Sequence, residues 1–256
     1  MNVFLVAASG VFGLLIGSFL NACAYRIPKK ISVVHGRSSC PKCEHQIAGY
    51  DNIPLLSYAI LRGRCRACRA PIHWRYPAVE ALTGLLFACL ALLDGFSPLL
   101  PLHFVFVAAL ILVSDIDIQT RLIPDVIVLP VAAIGLVGMI VFDPASWWVW
   151  PAAAFGAAGF LLVIGLVYER LRKVEGMGMG DVKLAFCMGA YLGISVIPAL
   201  FVGFLLGALA GGVVTSRGGS ARTAIPFGPF LAAGAVVALF AGPWLIDWYL
   251  SLAHLR

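Results

Sequence analysis

Charge is scarce in this sequence. Only 12% of its 256 residues are Asp, Glu, Lys or Arg, while 61% are hydrophobic. Soluble domains run at about 25% charged and about 45–50% apolar. A soluble domain of this length would lack the charge to cover its surface, so a wholly soluble fold is excluded. The chain also has no GxGxxG set between a strand and a helix. That excludes a Rossmann-type nucleotide site, and with it the ordinary methyltransferase architecture. The first apolar run has no basic segment before it and no A-x-A-like site after it. It reads as a retained span and not as a cleaved signal. No internal repeat is evident at the scale a transporter usually shows.

What the chain does have is apolar runs. Eight occur, at 3–24, 77–93, 98–116, 125–142, 149–168, 182–194, 196–214 and 226–250. A crossing takes about 20 residues. The sixth run is short and glycine-rich, either tilted or fused to the seventh at Pro198, so seven or eight spans fit. The expected fold is an all-α polytopic membrane protein with about eight transmembrane helices. Its divisions are 1–24, a first transmembrane helix; 25–76, a small polar domain; and 77–256, a transmembrane core. Gly10, Gly13 and Gly17 in the first run suit helix packing. Cys23, Cys89 and Cys187 read as small core residues.

The basic residues orient this arrangement. With 25–76 in the cytoplasm and the spans alternating, 17 of the 18 Lys and Arg fall on that side and only Arg256 lies opposite. This is a positive-inside pattern that puts both termini outside. Trp147, Trp148, Trp150, Trp244 and Trp248 then lie at outer ends, as an aromatic belt does. The net charge of +6 reflects topology, and no nucleic-acid partner is expected.

Residues 25–76 contain two CxxC pairs, Cys40/Cys43 and Cys65/Cys68. That spacing is a four-cysteine zinc pattern. Four thiolates close the coordination shell, so the expected zinc is structural. A segment this small gains from such a staple. His35, His45 and His73 are read as surface residues. The reducing compartment argues against disulfides.

The acids near span ends are Glu80, Asp115, Asp117, Asp125, Glu169 and Asp181. Ionisable residues at such positions are functional candidates by default. Asp117 lies in SDIDIQTRLIPD, and Asp181 follows two glycines in GMGMGDVKL, 64 residues later. At one membrane depth they would form a dyad in which one carboxylate takes a proton from water and its protonated partner polarises a carbonyl. Gly178 and Gly180 would allow close backbone approach or a positive φ. On charge and depth alone three roles stay open: hydrolysis, a proton or ion relay in a transporter, and helix capping by Asp181.

Several stretches together resemble one family. GSFLNACAYRIP (17–28), the CPKC…CRAC segment, IPLLSYAILRGRC (53–65), RYPAVEALTG (75–84), DIQTRLIPD (117–125) and GMGDVK (178–183) run in the order found in bacterial type IV prepilin peptidases. The resemblance implies an eight-span inner-membrane aspartic endopeptidase of the GxGD type. It would cut the basic leader from prepilins and type II pseudopilins after a glycine at the cytoplasmic face. It would then methylate the new N-terminus with S-adenosylmethionine. Asp117 and Asp181 become the catalytic pair. Asp117 stands seven residues before Pro124, as the family's first acid does, which leaves Asp115 a supporting acid. The family form DxDTxLLPD is here DIQTRLIPD. Glu80, Asn21 and Gly63 are the candidates for the methyl-donor site. Their plainer roles are an ion pair with Arg75 or Arg26, a helix-backbone bond, and a turn before the second cysteine pair.

Overall fold

The computed structural model describes residues 2–33, 38–40, 42–173, 178–216 and 225–252. His35, Arg37, residues 217–224 of the basic loop and Arg256 lie outside the described residues. The fold is helical, in two compact units, Met1–Leu112 and Val113–Arg256.

The first unit is built on α1 (Val3–Arg26) and α3 (Arg75–Asp94). In lipid there is no hydrophobic drive between helices, so they associate where small residues let backbones close. The three glycines of α1 do this. A Cβ on Gly13 would lie 2.7 Å from the Thr83 carbonyl oxygen, and one on Gly17 would lie 2.7 Å from Glu80 Cα. Phe87 stacks on Phe104 of α4 (Leu99–Thr120), ring centroids 4.1 Å apart. Between α1 and α3 lies the polar segment, with one short helix, α2 (Leu56–Ile60). At the far end of α3, Asp94 meets His103 Nδ1 at 2.7 Å.

The second unit takes the end of α4, then α5 (Asp125–Phe142), α6 (Val149–Arg172), α7 (Met179–Leu192), α8 (Val196–Ser216) and α9 (Gly228–Leu252). Among the described residues seven continuous helical stretches are long and apolar enough to cross a membrane, and one of them is the 38-residue Met179–Ser216. At 1.5 Å per residue that stretch is about 57 Å long, nearly twice the hydrocarbon core. A 3₁₀ turn at Gly193–Ser195 divides it into α7 and α8. The turn falls where the runs 182–194 and 196–214 meet, and Gly193, with a φ of +53°, turns the chain there. Pro198 sits in the first turn of α8, where a missing N–H removes no helical bond.

Seven described non-glycine residues have a positive φ, and five of them are Lys30, Arg62, Arg69, Arg121 and Lys173. Arg121 and Lys173 each close a helix, donating backbone N–H to Asp117 O and Glu169 O. A cation there also complements the negative end of the helix dipole.

Candidate functional site

The cysteine pairs lie on two turns of the same design. Cys40 N–H donates to His45 O, Glu44 N–H to Cys40 O, and Ile47 N–H to Ser38 O. The same three bonds recur at Cys65/Ala70, Arg69/Cys65 and Ile72/Gly63. The residue after each second cysteine, Glu44 or Arg69, has φ of 58°. These turns bring all four Sγ atoms within 4.8 Å of one another. Cys40 and Cys68 Sγ are 3.8 Å apart. Zn–S bonds of about 2.3 Å in a tetrahedron require sulfur separations of about 3.8 Å, so the four side chains fit zinc. Backbone N–H groups of Lys42 and Cys43 point at Cys40 and bring its thiol down to about 7, because such bonds favour the thiolate. His45 and His73 are exposed and outside the cluster. Asp51 and Arg66 pair at 2.6 Å beside it, and the guanidinium holds the Asp51 carboxyl below its ordinary range.

Beneath the zinc cluster the first unit contains a cavity of about 460 Å³, within the range of small-molecule sites. Ser18, Asn21, Glu80, Asp51, Leu55 and Tyr58 are among the residues that line it. Asn21 Nδ2 donates to Tyr76 O at 3.0 Å, the backbone bond that was its plainer role. Glu80 Oε2 accepts Leu55 N–H at 2.9 Å. Leu55 was not singled out from sequence. With φ 59° and ψ −46°, and Leu56 N–H reaching back to Pro54 O at 2.6 Å, it makes a γ-turn of the strained kind. Gly63 is not in the cavity wall. It has φ +66°, and a Cβ there would stand 2.9 Å from the hydroxyl of Tyr58, which is.

The acids of the second unit separate into distinct environments. Asp117, in the last turn of α4, is 5% exposed. Its Oδ2 accepts the backbone N–H of Gly228, the first residue of α9, at 2.9 Å. Asp181, at the head of α7, lies within electrostatic reach of Asp117. Asp181 is not the N-cap of α7; Gly178 is, with φ −70°. The positive φ allowed for the glycines is therefore not used at Gly178. Gly180 serves packing: a Cβ on it would lie 2.8 Å from Ile123 Cβ, so the missing side chain lets the segment after α4 close on α7. Asp115, two residues before Asp117, accepts a hydrogen bond from Gln119 Nε2 at 3.2 Å. Asp125 opens α5 and pairs with Lys183 Nζ at 2.7 Å in solvent.

Residues 11–93 match the bacterial peptidase A24 N-terminal domain, and residues 104–216 match the type IV leader peptidase family. A protein named prepilin leader peptidase/N-methyltransferase from Burkholderia pseudomallei (strain 1026b) is 38% identical, covering 91% of this chain and 84% of its own length. One of that name from Aeromonas hydrophila is 37% identical, covering 94% and 92%. Another from Bacillus subtilis (strain 168) is 35% identical, covering 95% and 97%. The chain belongs to the type IV leader peptidase family. This is a family of aspartic peptidases, and the names of these relatives do not support the transporter reading of the acids. Membership of it, together with the seven apolar stretches, makes this a multi-pass protein of the inner, or cytoplasmic, membrane. No solved structure matches the chain.

Proposed function

We propose that this leader peptidase hydrolyses the bond after the leader glycine of type IV prepilins and type II pseudopilins, using Asp117 and Asp181, and then methylates the new N-terminal amine. The carrying observation is the closeness of two carboxylates 64 residues apart, one of them buried, in a family of aspartic peptidases. Neighbouring carboxyls that share one proton can supply both a base for water and a donor for the carbonyl. Asp115 supports the end of α4 through Gln119.

The cysteine cluster holds a structural zinc, and the cavity beneath it receives S-adenosylmethionine, which supplies an electrophilic methyl group. Glu80 would hold the cationic end of the donor or of the substrate amine, Asn21 would keep the mouth of α3 in place, and Gly63 would set Tyr58. The domain divisions are 1–24, 25–76 and 77–256. With α7 and α8 crossing separately, eight spans put the zinc domain and the dyad on the cytoplasmic side and both termini on the periplasmic side. A prepilin would present its apolar helix laterally from lipid and its basic leader to the cytoplasm.

The test incubates the full-length protein in lipid with a prepilin, beside Asp117→Ala and Asp181→Ala. Mass spectrometry is expected to find leader loss with the wild type alone, and one added methyl when S-adenosylmethionine is present. Cleavage by either variant at the wild-type rate removes that aspartate from the mechanism.

A further inference from the structure

In sequence Gly228 is only part of a Pro-Gly entry to the last span, yet the structure ties it to Asp117 across 111 residues by a buried hydrogen bond of 2.9 Å. The contact is close in a second sense: a Cβ on Gly228 would stand 2.8 Å from Asp117 Oδ2 and 3.3 Å from Cγ. Only glycine lets the head of a 25-residue helix rest on that carboxylate. The positive N-terminal end of α9 meets the same acid through that N–H, and Arg121, four residues on, is within electrostatic reach of it. Asp181 is held differently. It is the third residue of its own helix and leans back on Gly178, with its Oδ2 3.5 Å from where a Cβ there would stand. Among the described residues, Asp117 is the charge that acts on it.

We propose that Gly228 is the positioning residue of the peptidase dyad, its N–H fixing Asp117 as the carboxylate that receives the proton of water and leaving Asp181 as the donor to the scissile carbonyl. The inference rests on the dyad reading. In the first step the water oxygen bonds to the carbonyl carbon, the water's proton passes to Asp117, and the proton on Asp181 passes to the carbonyl oxygen. In the second, one hydroxyl of the gem-diol returns a proton to Asp181 as the carbonyl reforms. The C–N bond breaks as Asp117 protonates the leaving amine. Both acids end as they began, and one water is consumed.

The division of roles predicts unequal conservative variants. An amide at 181 still donates a hydrogen bond to the carbonyl, whereas an amide at 117 has no base. Asp181→Asn is therefore expected to keep measurable residual cleavage of a prepilin, and Asp117→Asn none. The reverse order, or complete loss in both, overturns the assignment while leaving the dyad intact. Wild-type cleavage by both sinks the dyad itself. Gly228→Ala is expected to lower kcat ~100-fold, the cost of misplacing a reacting group by about 1 Å, with KM within about threefold. Gly212→Ala, which meets nothing within 4 Å, is the control and should match the wild type. Thermal unfolding and limited proteolysis of the full-length protein in lipid, compared with the wild type, report whether Gly228→Ala is folded. If it is folded and kcat is unchanged, Gly228 positions nothing. If it is unfolded, the two asparagine variants decide.

Discussion

Gly180 shows how a missing side chain can matter as much as a catalytic one. Its bare backbone admits Ile123, and Ile123 belongs to the link that carries the chain from the Asp117 motif into α5. Gly180→Ala is expected to slow cleavage, and Ile123→Ala in the same chain to recover part of the loss, because the two residues share one contact and their effects do not add. A cleavage assay on the two single variants and the double checks this. Gly63 should behave differently. Its φ of +66° costs an alanine about 1 kcal/mol, and the new methyl would push Tyr58 in the cavity wall. Gly63→Ala is expected to lose methyl transfer while retaining cleavage, measured on the same prepilin. Lys183 stands two positions from Asp181, yet its pair with Asp125 is partly solvated on both sides. Exposed pairs of this kind contribute about 0–1 kcal/mol, so Lys183→Met should change the cleavage rate less than tenfold.

At the scale of elements, most helix limits could be read from apolar run length. The run at 125–142 coincides with α5, and the others differ by a few residues at their ends. The ends differ because polar residues such as Arg26, Gln119 and Thr120 continue a helix out of the apolar zone. The turn between α7 and α8 was legible as the meeting of two apolar runs near residue 195; Gly193 makes it, and Pro198 costs nothing in the first turn of α8. The cysteine cluster was legible from its spacing, but the repeat of one turn at Cys40 and Cys65 was not, since it resides in backbone bonds. The N–H of Gly228 left no trace for the same reason: every glycine carries one, and only the fold aims it. The zinc elements have their own test. The purified protein is expected to carry about one zinc per chain, and Cys43→Ser to lose it. Elemental analysis reads this directly. The same variant should lose methyl transfer before it loses cleavage, since the cysteines and the aspartates belong to different compact units.

For the molecule as a whole, the left-handed positions carry an implication for engineering. Lys30, Arg62, Arg69, Arg121 and Lys173 all occupy backbone that glycine would occupy more easily. Each side chain there costs about 1–2 kcal/mol relative to unstrained backbone. A stability screen would therefore select glycine at these sites. In the proposed topology, however, all five are among the charges that keep the inner loops inside. Replacing them with glycine should yield a chain that resists denaturation once inserted but inserts in mixed orientations, which reporter fusions at each terminus would detect. Strain is thus retained where the cation directs insertion, and thermostability and correct membrane biogenesis would be selected in opposite directions at the same five residues.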